Sequence, residues 1–191
     1  MAKKQKPAGK TKKAEKTAKR IVVKAVFSSE YIYSNKKEAF SLHQQSRFGE
    51  QKEGKILYSV FEALYLLEKG KLELIHNKKK LKFEQLLGKF KEQDNRVETK
   101  YVVFKNMRDR GYVVKTALKF GAEFRVYDKG VKPGQDHAKW ILYPVKESDS
   151  LTWHDFSAKN RVAHSTKKNL LIGIVDEEKD VTYYICQWTK P

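Results

Sequence analysis

Three polar side chains in the stretch from Gly111 to Lys168 are of types that can act together on a phosphodiester: Tyr127, His137 and Lys168. Cleaving such a bond with a ribose 2′-hydroxyl needs a base for that hydroxyl's proton, an acid for the leaving 5′-oxygen and a cation for the charge gathering on phosphorus. Tyr127 is the candidate for the first task, as base or as the group that orients the hydroxyl. His137 is the candidate acid and Lys168 the candidate cation. An unperturbed tyrosine, with a pKa of about 10, is protonated at neutral pH. Cations such as Lys168 and Arg161 would favour its ionised form if they lie close. Taken singly, each residue also has a plainer reading: a strand tyrosine, a loop histidine and one lysine among many.

Local signals put all three at the ends of elements. Phe124-Arg125-Val126-Tyr127 alternates apolar and polar residues, as a half-buried strand does. Gly130, Pro133 and Gly134 then make a loop, and His137 stands at its far end, just before a strand over Trp140 to Val145. Lys168 falls where a polar helix gives way to the apolar strand Leu170 to Val175. Such positions let a rigid scaffold hold side chains toward a substrate. The spacing predicts strands at about 112–116, 122–127, 139–145, 169–175 and 181–188 and a helix at about 153–166. One helix then packs on a five-stranded mixed sheet, an α/β layer arrangement. His164 reads as a structural residue in mid-helix and His154 as a surface residue. Cys186, the single cysteine, lies in an apolar strand and reads as a small core residue. It excludes an internal disulfide and fits a reducing, cytoplasmic setting.

Upstream, Arg96 to Arg110 is expected to be a helix that joins two halves, with Val97, Tyr101, Phe104 and Met107 on its apolar face and Gly111 as its stop. The runs IVVKAVF and EYIYS are β-like, and residues 34–55 read as polar and irregular, with Gly49 and Gly54 as turn points. Ser59-Val60-Phe61-Glu62 is a capping-box pattern opening a helix whose apolar face is Val60, Phe61, Leu64 and Leu67, stopped by Gly70. Leu72 to Ile75 reads as a strand, Asn77 to Lys80 as a turn and Phe83 to Gln93 as a second helix. His43 and His76 read as isolated surface residues.

Charge narrows the class of partner. The 191 residues carry a net charge of +18. The first 20 residues hold eight Lys, Arg20 and one Glu, with no large apolar residue except Met1, so they contribute +8 and leave +10 on the rest. That tail cannot bury enough surface to offset its conformational entropy and is expected to be disordered. It serves either to attract phosphates or as a solubility tail. A body this basic favours a polyanion, nucleic acid before a membrane surface. No long apolar run and no signal-peptide pattern is present.

The chain resembles the archaeal tRNA-splicing endonucleases (tRNA-intron lyases). The resemblance is carried by RDRGYVVKTALKFGAEFRVY, by Tyr127 and His137 ten positions apart, and by RVAHSTKK ending on Lys168. It continues upstream in GKILYSVFEALYLLEKGKLEL and downstream in VTYYICQW, so that it runs from about Ile21 to Pro191 and leaves only the basic tail unmatched. It implies an α/β fold class: a tail at 1–20, a small, mainly architectural α/β N-terminal domain at 21–95, and a catalytic α/β domain with a mixed sheet at 96–191. At Tyr127, His137 and Lys168 it implies base, acid and charge stabiliser. At Arg161 it implies a guanidinium that stacks on a flipped-out intron base.

The acidic run Asp176, Glu177, Glu178, Lys179, Asp180 reads, on its own, as a solvated hairpin turn. The resemblance implies that this loop enters a basic cleft on a neighbouring subunit, which a net −3 segment in a +18 chain makes electrostatically sensible. It also implies that Val181 to Trp188 pairs with its copy across a two-fold axis. A homotetramer is the first expectation, a heterotetramer with a non-catalytic subunit the second. The implied function is excision of introns from precursor tRNA by cutting both splice sites of a bulge-helix-bulge RNA, leaving 2′,3′-cyclic phosphate and 5′-hydroxyl ends, with no metal or other cofactor. Two alternatives stand beside it. One is a non-catalytic RNA-binding or assembly subunit. The other is a metal-dependent nuclease, suggested by Glu177-Glu178-Lys179, although that acid-x-Lys pattern lies in a turn and no upstream aspartate is placed to share a metal.

Overall fold

A computed structural model describes residues 22–28, 30–118, 121–131, 133–134 and 136–189. The tail expected at 1–20 lies outside the described residues. In the first half, β1 (Val23–Ser28), β2 (Tyr31–Ser34), β3 (Glu50–Lys52), β4 (Lys55–Tyr58), β5 (Leu72–His76) and β6 (Lys79–Leu81) form one six-stranded sheet in the order β3-β4-β2-β1-β5-β6. One inner pair, β1 and β5, is parallel, so a crossover is required between them. That crossover contains α1 (Lys37–Ser46) and α2 (Val60–Glu68), and α3 (Phe83–Lys91) follows β6. In the second half, α4 (Val97–Asp109) leads into β7 (Val113–Ala117), β8 (Ala122–Tyr127), β9 (Trp140–Lys146), α5 (Trp153–Ser165), β10 (Asn169–Val175) and β11 (Val181–Cys186). These strands make a five-stranded sheet ordered β11-β10-β9-β8-β7. Only the β9–β10 pair is parallel, and α5 is its crossover.

One continuous apolar core runs through both halves, from Val23, Leu64 and Leu74 to Phe104, Phe124, Val126 and Leu142. A smaller cluster of Ile141, Tyr143, Ala163 and Leu170 lies under α5, with Phe156 and Cys186 against it. The sheet of the second half therefore has a helix on each face, α4 on one and α5 on the other, where the sequence led us to expect one helix packed on it. The α4 face expected from spacing is correct: Val97, Tyr101, Phe104 and Met107 are buried, together with Thr99 and Val103. Gly173 on β10 faces α4, and a Cβ there would sit 3.0 Å from Val103 Cγ1 and 3.2 Å from Tyr183 Cε1. Its missing side chain is what lets helix and sheet approach.

Residues 34–55 are more regular than expected. They contain α1, which the polar composition concealed, because only Ala39 and Leu42 of that helix are buried. The capping box at Ser59 and Glu62 is present, with Ser59 Oγ accepting from the Glu62 N–H at 3.2 Å and Glu62 Oε2 accepting from the Ser59 N–H at 2.9 Å. The apolar face assigned to α2 is incomplete, since Glu62, Ala63, Tyr65 and Leu66 are buried as well as Leu64. Nor are His43 and His76 free surface residues. Each is half-buried and sets a ring nitrogen on a backbone carbonyl, His43 on Phe48 at 2.9 Å and His76 on Phe27 at 3.0 Å.

The two halves are riveted by charge as well as by apolar packing. The Glu62 carboxylate and Lys115 ammonium are 2.7 Å apart with side chains only 4% and 5% exposed. Glu62 also accepts from the Gly49 N–H at 2.9 Å, and Lys115 donates to the Gly49 carbonyl at 2.6 Å. Gly49 has φ +73°, and a Cβ there would run into Ile56 Cγ2 and the Leu57 carbonyl, so no other residue fits there without strain. Nearby, Arg108 lies over the Phe48 ring at 3.8 Å and donates to the Ser46 carbonyl at 2.8 Å.

Candidate active site

Strand register gathers the three candidate residues. Val126 pairs with Trp140 across β8 and β9, and Trp140 pairs with Asn169 across β9 and β10. Tyr127 is the next residue along β8, Lys168 the one before Asn169, and His137 stands three residues before Trp140. Two backbone hydrogen bonds carry the register one step further: the Lys139 N–H donates to the Val126 carbonyl at 2.9 Å, and the Asn169 N–H to the Lys139 carbonyl at 3.1 Å. Tyr127, His137 and Lys168 thus come to one end of three adjacent strands, from separate parts of the sequence.

Each is held there by its own local device. Tyr127 ends β8 and is 5% exposed. Lys168 is set by the end of α5. Lys167 adopts a left-handed φ of +54°, its N–H returns to the His164 carbonyl at 2.9 Å, and the Lys168 N–H returns to the Ala163 carbonyl at 2.9 Å. That is a Schellman closure built without the usual glycine. The Lys168 ammonium donates to the Thr166 carbonyl at 2.7 Å, a favourable place for a cation at a helix C-terminus. His137 is exposed, and its N–H donates to Asp136 Oδ1 at 2.6 Å. The loop carrying it turns at Gly130 and Gly134, with φ of +81° and +92°, and an ion pair of 2.9 Å between Asp128 and Lys139 ties its two ends. That hydrogen-bonded lysine holds the Asp128 carboxyl below its ordinary pKa.

The electrostatics correct one expectation. Burial pushes the Tyr127 phenol above its ordinary pKa of 10; Arg125 opposes this and Glu50 adds to it. The cation seen to act on Tyr127 among the described residues is Arg125, and it does not outweigh desolvation. Lys168 is shifted the other way: burial first, and then the neighbouring Arg125, hold its ammonium below the usual 10.5. Arg125 and Glu50, linked at 3.3 Å, are the residues near the site that sequence reasoning missed. A usable signal existed, since Arg125 is two positions before Tyr127 and so on the same face of β8.

His164 is not in mid-helix but in the last turn of α5, exposed, with its ring 4.8 Å from that of Trp188. Together with Lys168, Asn160 and Gln187 these two rings border a hollow of about 150 Å³ beside the strand ends. Arg161 lies on α5 and is exposed, as is His154. Cys186 is half-buried against the smaller core cluster, and burial raises its thiol pKa. A larger hollow, about 610 Å³, is elsewhere, over Tyr143, Ile172, Ile174 and Tyr184. A polymer that presents its phosphate from outside needs no enclosed pocket, so the triad's place at an open strand end is no objection to it.

The Asp176–Asp180 segment is a tight hairpin between β10 and β11. Asp176 Oδ1 accepts from the Asp180 N–H at 2.8 Å, Lys179 is left-handed at φ +68°, and Glu177 and Glu178 are exposed. Among the described residues no group of three or more His, Cys, Asp or Glu side chains is assembled to hold a metal ion. No described helix is long and apolar enough to cross a membrane.

Comparison with known proteins matches both halves. Residues 97–183 fit the family described as tRNA intron endonuclease, catalytic C-terminal domain, and residues 23–87 the family described as tRNA intron endonuclease, N-terminal domain. Proteins named tRNA-splicing endonuclease are similar along most of the chain. That of Thermococcus gammatolerans is 41% identical over 164 residues, 85% of this chain and 96% of the relative. That of Pyrococcus furiosus is 39% identical over 172 residues, 90% of this chain and 99% of the relative. That of Nanoarchaeum equitans is 46% identical over 138 residues, 69% and 88% respectively. The two sheets, their order in the chain and these matches define a two-part α/β nuclease scaffold. The chain belongs to the tRNA intron endonuclease family.

Proposed function

We propose that this chain is a tRNA-splicing endonuclease that excises introns from precursor tRNA by cutting both splice sites of a bulge-helix-bulge RNA. The observation that carries the reading is the gathering of Tyr127, His137 and Lys168 at one end of β8, β9 and β10, in a chain whose relatives bear that name. The substrate's own 2′-hydroxyl attacks phosphorus. Tyr127 meets that hydroxyl and orients it, and its phenolate, a minor form because burial raises the phenol's pKa, is what takes the hydroxyl's proton as the new bond forms. His137, on its exposed loop, protonates the departing 5′-oxygen, and Lys168 balances the charge on the phosphate. The products are a 2′,3′-cyclic phosphate and a 5′-hydroxyl, and no step calls for a metal. Arg161 stacks on an unpaired base of the bulge. The working assembly is a homotetramer, in which the acidic loop of one subunit enters a basic cleft of another.

A cleavage assay on a bulge-helix-bulge RNA in excess chelator, with end-group analysis, tests the reading. We expect both strands to be cut to cyclic phosphate and 5′-hydroxyl ends. Replacing the scissile 2′-hydroxyl by hydrogen should abolish the cut and leave binding nearly intact. His137→Ala should lose roughly 10²–10⁴-fold in rate and recover in part on a bridging 5′-phosphorothiolate, whose leaving group needs no proton, whereas Tyr127→Phe should not. Cleavage of the deoxy substrate would mean that water is the nucleophile, and a strict requirement for a divalent ion would favour the metal-dependent alternative. No cleavage by the purified chain alone would favour the non-catalytic subunit.

A further inference from the structure

An ion pair joins the first half of the chain to β8 beside the candidate site. Glu50, at the start of β3, meets Arg125 of β8 at 3.3 Å, with side chains 62% and 30% exposed. The backbone just before Glu50 is fixed by the buried pair Glu62 and Lys115, which grips both polar groups of Gly49. On the sheet, Lys115 pairs with Arg125, Arg125 with Ile141 and Ile141 with Leu170, so these residues form one row across β7, β8, β9 and β10. Tyr127 is two residues beyond Arg125 on the same face of β8, and Lys168 two residues before Leu170. Arg125 is thus one pleat below the strand ends where the candidate residues gather. Among the described residues nothing hydrogen-bonds its buried Nε, although the Nη2 end is held by Glu50.

We propose that Arg125 is a positioning residue for the cleavage reaction: its guanidinium, balanced by Glu50 from the first half, is the fixed charge that sets how Tyr127 and Lys168 meet the substrate. The inference rests on the function proposed above. It gives the N-terminal sheet a part in the chemistry beyond support. Other charged groups near the row are already engaged. Lys115 is neutralised by Glu62 on α2, and Lys139, just before β9, by Asp128. On the α5 side, His164 is turned to Trp188. Arg125 also acts on both candidates, lowering the pKa of Tyr127 against its burial and that of Lys168 together with its burial, while Glu50 acts on Tyr127 in the opposite sense.

The test uses the full chain and single-turnover cleavage of a bridging 5′-phosphorothiolate RNA from roughly pH 6 to 10, so that His137 does not shape the profile. Removing the cation in Arg125→Gln should let the pKa of both Tyr127 and Lys168 rise. Whichever limb of the profile the wild type shows should therefore move to higher pH. At neutral pH the rate should fall on the order of 10- to 10²-fold, the usual cost of a small misplacement, with RNA binding little changed. Arg125→Lys should restore the limb toward its wild-type position. Glu50→Gln breaks the same ion pair but keeps the cation, so its limb should stay in place or move to lower pH. If Arg125→Gln and Glu50→Gln lose rate alike with unmoved limbs, the pair is a structural tie and the proposal fails. A wild-type chain that does not cut the RNA at all overturns the underlying function instead.

Discussion

At the residue scale, two buried polar groups matter for opposite reasons. Tyr127 is a phenol kept neutral by burial, which suits a group that holds and orients a hydroxyl and means that only its minor phenolate form can take the proton. Glu62 and Lys115 are full charges withdrawn from water, tolerable because each has its partner and further hydrogen bonds. Breaking one member of such a pair leaves the other charge stranded in the core. Lys115→Met should therefore cost about 3–5 kcal/mol, read as a lowered urea midpoint at an unchanged m-value. Adding Glu62→Gln to it should give back part of the loss, because the stranded charge is then gone. A double variant less stable than Lys115→Met alone would mean that the cap and the Gly49 contact, rather than the charge, carry the cost. Sequence alone revealed half of this arrangement. Glu62 is legible as the third residue of a capping box, but one carboxylate oxygen serves the cap while the other meets a lysine 53 positions away. No local pattern encodes that distance. The places of Tyr127, His137 and Lys168 at element ends were legible from glycine, proline and changes of period, but what grouped them as candidates was the family resemblance. The place of Arg125 on the Tyr127 face of β8 was readable from spacing, but its pairing with Glu50, 75 positions away, was not.

At the element scale, the second half was almost wholly readable, and the first half less so. Strands β7 to β11 and α5 follow strong apolar runs, and their bounds differ from expectation by two residues or fewer. Helix α1 escaped because it is short, polar and without a side-chain cap, so packing rather than propensity supports it. The same balance of packing against propensity predicts opposite outcomes for one substitution at two glycines. Gly88, within α3, has open space where a Cβ would go, so Gly88→Ala should stabilise by about 0.5–1 kcal/mol. Gly173 is wedged against Val103, fully buried and stiff at χ1, and against Tyr183, whose hydroxyl is tied to Asn106 at 3.1 Å. Gly173→Ala should cost about 1–3 kcal/mol through overpacking. Thermal unfolding of the two variants side by side checks this, and a stabilised Gly173→Ala would show that α4 can shift away from the sheet.

At the scale of the whole molecule, charge and exposed apolar surface point to the same end of the chain. β11 is an edge strand of its sheet, and Tyr184, Ile185 and Trp188 along and just beyond it are 56%, 56% and 59% exposed. A bare, apolar edge of this kind invites pairing with another copy. Next to it the 176–180 hairpin carries net −3 in a chain of +18. These features suit the proposed tetramer, in which the edge pairs across a two-fold axis and the hairpin enters a basic cleft. Asp176 is the wrong residue for the test, because its carboxylate closes the hairpin on the Asp180 N–H, and changing it would damage the turn itself. Glu177 and Glu178 are exposed and leave the turn intact. Reversing both, Glu177→Lys with Glu178→Lys, should release the hairpin from its cleft while each subunit keeps its unfolding transition. Light scattering at moderate salt should then report a species smaller than the tetramer, and the wild type should itself loosen as salt screens the contact. If the double variant stays tetrameric and active, the hairpin is only a solvated turn, and the apolar β11 edge must hold the assembly. Ile185→Lys would then be the substitution that takes it apart.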